Sequence, residues 1–362
     1  MKAVPTADLL DRIAQVRKSL AGQKFPAVVT LDPVNAYYLT GMLCSNPLVL
    51  ITQNIALFMT DFRYAESARA AVTHMEVEIF AQHTLNRFVE KLKKLRLKTV
   101  AFEGGLPYDT WAKLTALSPN VRWVSAGAMF RRIRQIKSKA EIATIARNQE
   151  LNEKVFLEAK DFVGMGKRES EIRTFIRHRM LDLNADEAFD SIIAAGKHSA
   201  EPHAHAGAAK VAAGQYLLFD MGVKRDLYHS DMTRTVGVGK AISDRHREIY
   251  EVVLAAQNSA LATIRPGARC ADVDAVARKI ISAAGYGDCF GHGLGHGVGL
   301  QIHEGPTLNA ISEDVLEENM VVTVEPGIYV PGFGGVRIED LAVVTRNGHR
   351  NLTKCSKTFE LI

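Results

Sequence analysis

Four acids stand where a globular protein ordinarily keeps apolar side chains. Asp220 ends the run YLLF, Glu325 ends VVTV, Glu339 lies between VRI and DLAVV, and Asp231 opens DMTRTVGV. A carboxylate desolvated in such surroundings costs several kcal/mol unless something positive compensates it. One acid at the exposed end of a strand explains any single case. Four of them beside a cluster of histidines point to a shared site instead. The histidines lie in GHGLGHGVGLQIHEGP (291–306), which holds His292, His296 and His303. Its glycines let the backbone fold closely around a site. Four carboxylates and an imidazole suit two divalent cations: oxygen donors favour Mn²⁺-like metals, and imidazole admits Zn²⁺ or Co²⁺. His303-Glu304 resembles the start of a helical HExxH zinc motif, but position 307 is Thr, so that motif fails.

The elements that must position these residues are strands and turns. Asp220 and Asp231 are eleven residues apart with Gly222 between them, a spacing that suits paired strands of a hairpin. Glu325 and Glu339 are fourteen apart across PGIYVPGFGG, again a turn-rich link. Two hairpins can thus direct four carboxylates into one pocket. The expected strands are 215–222, 231–238, 321–330 and 336–344, with helices near 167–183, 243–264 and 271–284. Strands interspersed with helices in this way indicate an α+β class.

Upstream, a helix over 6–20 precedes strand-like runs at 27–31, 49–52 and 55–60. A helical stretch at 61–72, a strand at 77–80, a helix near 84–95 and a strand at 99–103 complete a small α/β domain. From 131 to 159 the chain has no Gly or Pro, and Ser138 with Glu141 forms a capping box that starts a helix. The boundary falls just before that helix, giving domains 1–130 and 131–362.

Composition narrows the partners. The chain has 362 residues, 47% hydrophobic, with 45 basic and 40 acidic residues for a net charge of +5. That balance is too mild to imply nucleic acid. The densest basic stretch, Arg131, Arg132, Arg134, Lys137 and Lys139, reads as a solvated linker face. Cys44, Cys270, Cys289 and Cys355 are scattered without a CxxC pair, as reduced thiols of a cytoplasmic protein are. The N-terminal segment lacks the apolar run of a signal peptide, and no run approaches the ~18–20 apolar residues that cross a bilayer. Cytoplasm, with no membrane partner, is the expectation.

The segments DMG (220–222), HSDMTRT (229–235), GHGLGHGVGLQIHEGP (291–306), TVEPGIYV (323–330) and GVRIED (335–340) resemble the signatures of the Xaa-Pro peptidases. These are the prolidase and aminopeptidase P group of the M24 metallopeptidases, with the pita-bread fold. PHAHAG (202–207) resembles the group's Pro-His segment, RQIKSKAEI (134–142) its linker, and NAYYLTGM (35–42) with MTDFRY (59–64) its creatinase-type N-terminal domain.

The resemblance implies five metal ligands: Asp220, Asp231, His296, Glu325 and Glu339. Asp231 and Glu339 would bridge two metals, Asp220 would hold one, and His296 and Glu325 the other. Glu325 would also shuttle protons. His203 and His303 would hydrogen-bond the scissile carbonyl, Arg337 would pair with a ligand carboxylate, and His292 would line the pocket. Implied too are two divalent ions per chain, Mn²⁺ first with Co²⁺ or Zn²⁺ possible, substrates with proline second, and a homodimer. His198 and His205 read as surface or satisfied core histidines, and Arg234 as a strand ion-pair partner.

The implied reaction is hydrolysis of an N-terminal Xaa-Pro bond. Thr307, where some prolidases resembling this chain carry an arginine suited to a dipeptide's carboxylate, tilts the expectation towards an aminopeptidase that accepts longer peptides. The alternative is the dipeptidase. Creatinase and the methionine aminopeptidases are disfavoured, by the complete ligand set and by the N-terminal domain respectively. A non-catalytic pita-bread binding protein would have lost ligands that this chain keeps.

Overall fold

The computed structural model describes residues 4–81 and 84–362. The chain divides between Arg134 and Gln135 into two compact units. The class is α+β, as the sequence indicates. Among the described residues no helix is long and apolar enough to cross a membrane.

The N-terminal unit is built on a six-stranded mixed sheet. Its order is Glu76–Phe80, Ala56–Asp61, Leu48–Thr52, Ala27–Thr30, Thr99–Phe102, Arg122–Ser125. The meander Ala27–Thr30, Leu48–Thr52, Ala56–Asp61 is antiparallel, and the flanking pairs are parallel. Val29, Leu50, Leu57, Phe88 and Leu92 are fully buried in its core, each worth about 1.5–3 kcal/mol in apolar transfer. The helical stretch expected at 61–72 is shorter. Asp61 ends the strand, and its carboxylate accepts from the Arg63 N–H, so a 3₁₀ turn precedes the helix Ala65–Ala71. A helix not expected, Pro33–Thr40, starts with Asp32 as cap and Pro33 at its first position and ends at Gly41 in the left-handed region.

The C-terminal unit opens with the helix Lys139–Phe162, and the Ser138–Glu141 capping box is present with both reciprocal bonds. Such a cap contributes about 1 kcal/mol. The helices Glu169–Asp182, Asp244–Thr263 and Cys270–Ala283 lie close to their expected places. They cover small antiparallel sheets, one ordered Met232–Gly237, Tyr216–Met221, Ile192–Ala195. Another is ordered Glu304–Leu308, Gly295–Gly297, Val321–Val324, Asp340–Thr345, Gly348–Asn351. The basic stretch is not a uniformly solvated face: Arg134 and Lys137 are buried, at 7% and 2% exposure.

The two strands expected at 321–330 and 336–344 are each broken. Val321–Val324 pairs with Asp340–Thr345, whereas Gly327–Val330 pairs with Gly334–Arg337 in a separate two-stranded sheet. The hairpin therefore changes sheets halfway along. Pro326, which has no N–H to give a ladder, sits at the break on one strand. Glu325 and Glu339 occupy the two sides of that break.

Candidate metal centre

Three backbone arrangements converge. The first is the hairpin in which Tyr216–Met221 pairs with Met232–Gly237, with Asp220 opposite Thr233 and Asp231 immediately before the second strand. The second is the sheet-changing hairpin, which carries Glu325 and Glu339. The Glu339 N–H donates to Thr233 O at 3.1 Å and so ties the second hairpin to the first. The third is the short strand Gly295–Gly297 with His296 at its centre; here the Glu325 N–H donates to Leu294 O at 2.8 Å and the His296 N–H to Thr323 Oγ1 at 3.0 Å. The glycines flanking His296 are sterically required. A Cβ on Gly295 would overlap Thr323 O, and one on Gly297 would overlap Gly305 O.

The side chains close to a tight cluster. Donor atoms of Asp231, His296 and Glu339 lie within 4.8 Å of one another. His296 Nε2 is 3.3 Å from Glu325 Oε1 and 3.7 Å from Asp231 Oδ2. Asp220, Asp231 and Glu339 are 9%, 4% and 2% exposed. The Arg337 guanidinium is ion-paired with Asp220 Oδ2. It also donates from Nε to Thr233 Oγ1 at 3.0 Å, whose hydroxyl donates in turn to Glu339 Oε2 at 2.7 Å. Thr323 Oγ1 likewise donates to Glu325 Oε1 at 3.0 Å.

Asp220 Oδ1, Asp231 Oδ1 and Glu339 Oε1 are buried, and none has a hydrogen-bond partner in the protein. An unsatisfied buried acceptor costs about 1–3 kcal/mol, more when charged. Four carboxylates against one guanidinium leave about three uncompensated negative charges if all ionise, which two divalent cations offset. The proton distribution agrees. Burial, reinforced by Asp220 and Glu325, holds the Asp231 carboxyl well above the usual range. Burial, with Asp231 and then Glu325 and Asp220 as neighbours, does the same to Glu339. Burial lifts Glu325 to about 7 against the opposing pull of Arg337. Burial also lowers His296, keeping it neutral and able to ligate. Burial and mutual repulsion push Asp231, Glu325 and Glu339 towards their protonated forms, a cost that bound cations would relieve; the residues present fit a divalent pair.

His303 packs edge-on against His296, with ring centroids 4.3 Å apart, and burial lowers its pKa. His203 is exposed and lies close enough to Glu325, His292 and His303 to interact with them electrostatically. His292 has both ring nitrogens engaged. Nδ1 lies 2.8 Å from Gly293 O, which requires Nδ1 to carry the proton, and Nε2 accepts from Tyr329 Oη at 2.9 Å. Tyr329 Oη in turn accepts from Arg337 Nη1 at 2.7 Å. Burial pushes His292 down to about 4 and Tyr329 up to about 12, so both stay neutral in this chain of bonds.

Sequence reasoning missed Tyr329, Thr233 and Thr323; their positions beside candidate ligand residues in TVEPGIYV and DMTRT were the available signal. Arg234 is, as expected, an ion-pair partner: it is buried 2.8 Å from Asp340 Oδ1, and it donates to the carbonyls of Thr233, Glu339, Cys355 and Ser356. His198 is bound to the buried Glu169 at 2.9 Å, and His205 is exposed.

Comparison with known proteins agrees with this arrangement. Residues 143–346 match the model of metallopeptidase family M24, and residues 12–136 that of the creatinase/prolidase N-terminal domain. The chain is 35% identical over 360 residues to a Xaa-Pro dipeptidase of Pyrococcus horikoshii, covering 96% of this chain and 98% of that one. The structure of a Xaa-Pro dipeptidase from Bacillus anthracis superposes with a TM-score of 0.94 at 32% identity, covering 98% of this chain and all of that one. An X-Pro aminopeptidase from Thermotoga maritima superposes with a TM-score of 0.87 at 31% identity, covering 95% and 100%. With a cation-hungry carboxylate cluster inside a fold shared from end to end, the chain belongs to metallopeptidase family M24.

Proposed function

We propose that this chain is a Xaa-Pro dipeptidase that uses two divalent cations, Mn²⁺ in preference, held by Asp220, Asp231, His296, Glu325 and Glu339. The observation that carries the reading is the convergence of three buried carboxylate oxygens without protein partners. Bound cations would supply Lewis acidity: they neutralise the acids and bring the pKa of water towards neutrality.

The chain's own groups do the rest. Glu325, whose carboxyl sits near 7, is suited to take a proton at Oε from the attacking water and return it to the proline nitrogen as the C–N bond breaks. Water's oxygen goes to the carbonyl carbon and its hydrogens to the two products, so the step balances. His303 and His203 are the candidate hydrogen-bond donors to the carbonyl oxygen as charge develops there. Through Asp220 and Thr233, Arg337 orients two of the acids.

The preference for a dipeptidase reverses the expectation drawn from Thr307. That expectation rested on one side chain. Thr307 faces His296 across the strand pair, and its N–H donates to Asp314 Oδ2 at 3.1 Å. Relatives that align with nearly the whole chain carry the dipeptidase name, and that correspondence outweighs one position. The aminopeptidase reading remains the alternative, favoured by the Thermotoga maritima likeness. Comparing Ala-Pro with Ala-Pro-Ala under Mn²⁺ decides between them. Preferential cleavage of Ala-Pro supports the dipeptidase; faster cleavage of the tripeptide establishes the aminopeptidase; cleavage of neither overturns both.

A further inference from the structure

A buried ion pair lies outside the carboxylate cluster. Lys137 Nζ is 2.9 Å from Glu304 Oε1, and the two side chains are 1% and 6% exposed. Lys137 follows the division between the two units by a few residues, and its N–H is anchored on Asn319 O at 3.1 Å. Glu304 follows His303 directly and opens the strand Glu304–Leu308, where it stands opposite Gly297 beside the ligand candidate His296. Replacing a buried ion pair by apolar residues of similar volume is often neutral or stabilising, so stability alone is a weak reason for such a pair. Geometry is the better reason here.

The turn between His296 and Glu304 is held at several points. The Gly299 N–H donates to Gln301 O at 3.1 Å, and Gly299 O accepts from both the backbone N–H and Nδ1 of buried His229, at 2.9 and 3.0 Å. The Glu304 carboxylate presses against the Gly299 Cα so closely that a Cβ there would overlap Oε1. The turn is thus clamped between His229 on one side and Glu304 on the other, and Lys137 holds Glu304 in place. His303 is covered on the side that meets His296 and open to solvent on the other, so the backbone of this turn sets where its ring stands.

We propose that Lys137 and Glu304, with His229 on the opposite side of the turn, are positioning residues that set the place of His303 in the reaction. The inference rests on the peptidase reading given above. A ring displaced by an ångström from the carbonyl it must meet forfeits much of its catalytic effect, whereas the metal ligands keep their own supports at Thr233, Thr323 and Arg337.

The test is a double-mutant cycle on the full chain loaded with Mn²⁺. Lys137→Met with Glu304→Gln removes both charges, so no buried ion is left unpaired. With His303 intact, kcat on Ala-Pro is expected to fall about tenfold or more, with the metal content measured by mass spectrometry unchanged. In a His303→Ala background the same pair of substitutions should change kcat less than about twofold, because coupled residues are not additive. Lys137→Arg alone, which keeps the charge, should recover most of the activity. Should the double variant fail to fold, Lys137→Gln with Glu304→Gln, which also removes both charges and leaves two amides able to pair, carries the same comparison. Equal losses in both backgrounds, no loss with His303 present, or loss of metal in step with activity would overturn the positioning role. Absence of Ala-Pro cleavage by the unsubstituted protein overturns the peptidase reading, and this inference with it.

Discussion

Metal binding should expel protons, and the structure names the acids that release them. Burial and acidic neighbours hold Asp231 and Glu339 well above the usual carboxylate range, so both favour the protonated form in the metal-free protein. Glu325, near 7, is about half protonated there. Ligation requires the ionised forms, so loading both sites at pH 7 should release about half a proton from Glu325 and a further share from Asp231 and Glu339, which burial shifts the same way. The count should decline as the pH is raised and the cluster ionises beforehand. Isothermal titration of Mn²⁺ into chelator-treated protein, repeated in buffers of different ionisation enthalpy, reads this number from the buffer dependence of the heat. Heats independent of buffer at pH 7 would mean that the acids are already ionised in the metal-free protein. The reasoning from burial and mutual repulsion would then be refuted, whatever the affinity proved to be.

Further outcomes follow from the same geometry. Glu325→Gln should lower kcat by about 10²–10⁴-fold, the usual worth of a positioned acid–base group, with far-ultraviolet circular dichroism unchanged; near-normal turnover removes Glu325 from proton transfer. In metal-free protein the stability contributed by protonated Glu325 is fully present below its ordinary pKa and is lost as pH rises through about 7. Urea denaturation should therefore show metal-free protein losing about 3 kcal/mol from this group between pH 5 and pH 9, and the Glu325→Gln variant losing correspondingly less. Arg234→Met would strip the guanidinium from fully buried Asp340 Oδ1 and remove one donor from each of four carbonyls. It should cost about 3–5 kcal/mol in the same assay, and a loss below about 1 kcal/mol would show that Lys357, 2.9 Å from Asp340 Oδ2, suffices.

The segments carrying the candidate ligands stood out because charge inside an apolar run is costly and therefore conspicuous. Asp220 and Asp231 do lie on a hairpin, as their spacing indicates. The helix at Ser138 was equally plain, since a capping box is a local signal. Sheet membership was not local. Glu325 and Glu339 read as residues within continuous strands, and only the pairing of Val324 with Asp340 and of Gly327 with Arg337 reveals that the hairpin changes sheets at them. Pro326 was a hint that periodicity alone passes over. The helix Pro33–Thr40 carried Asp32, Pro33 and Gly41 as start and stop signals but is too short for its apolar pattern to stand out. Lys137 looked like one more solvated cation because its partner, Glu304, is 167 positions away in sequence. The same distance argument applies to Arg337 and Asp220, whose pairing came from family resemblance rather than from the residues themselves.

The central claim is that Asp220, Asp231, His296, Glu325 and Glu339 hold a pair of cations. A crystal of the protein soaked in Mn²⁺, measured at the manganese absorption edge, tests it directly. Two anomalous peaks enclosed by those five side chains, with Asp231 and Glu339 each touching both, is the predicted result. A single peak, or manganese bound anywhere but among these residues, would contradict it.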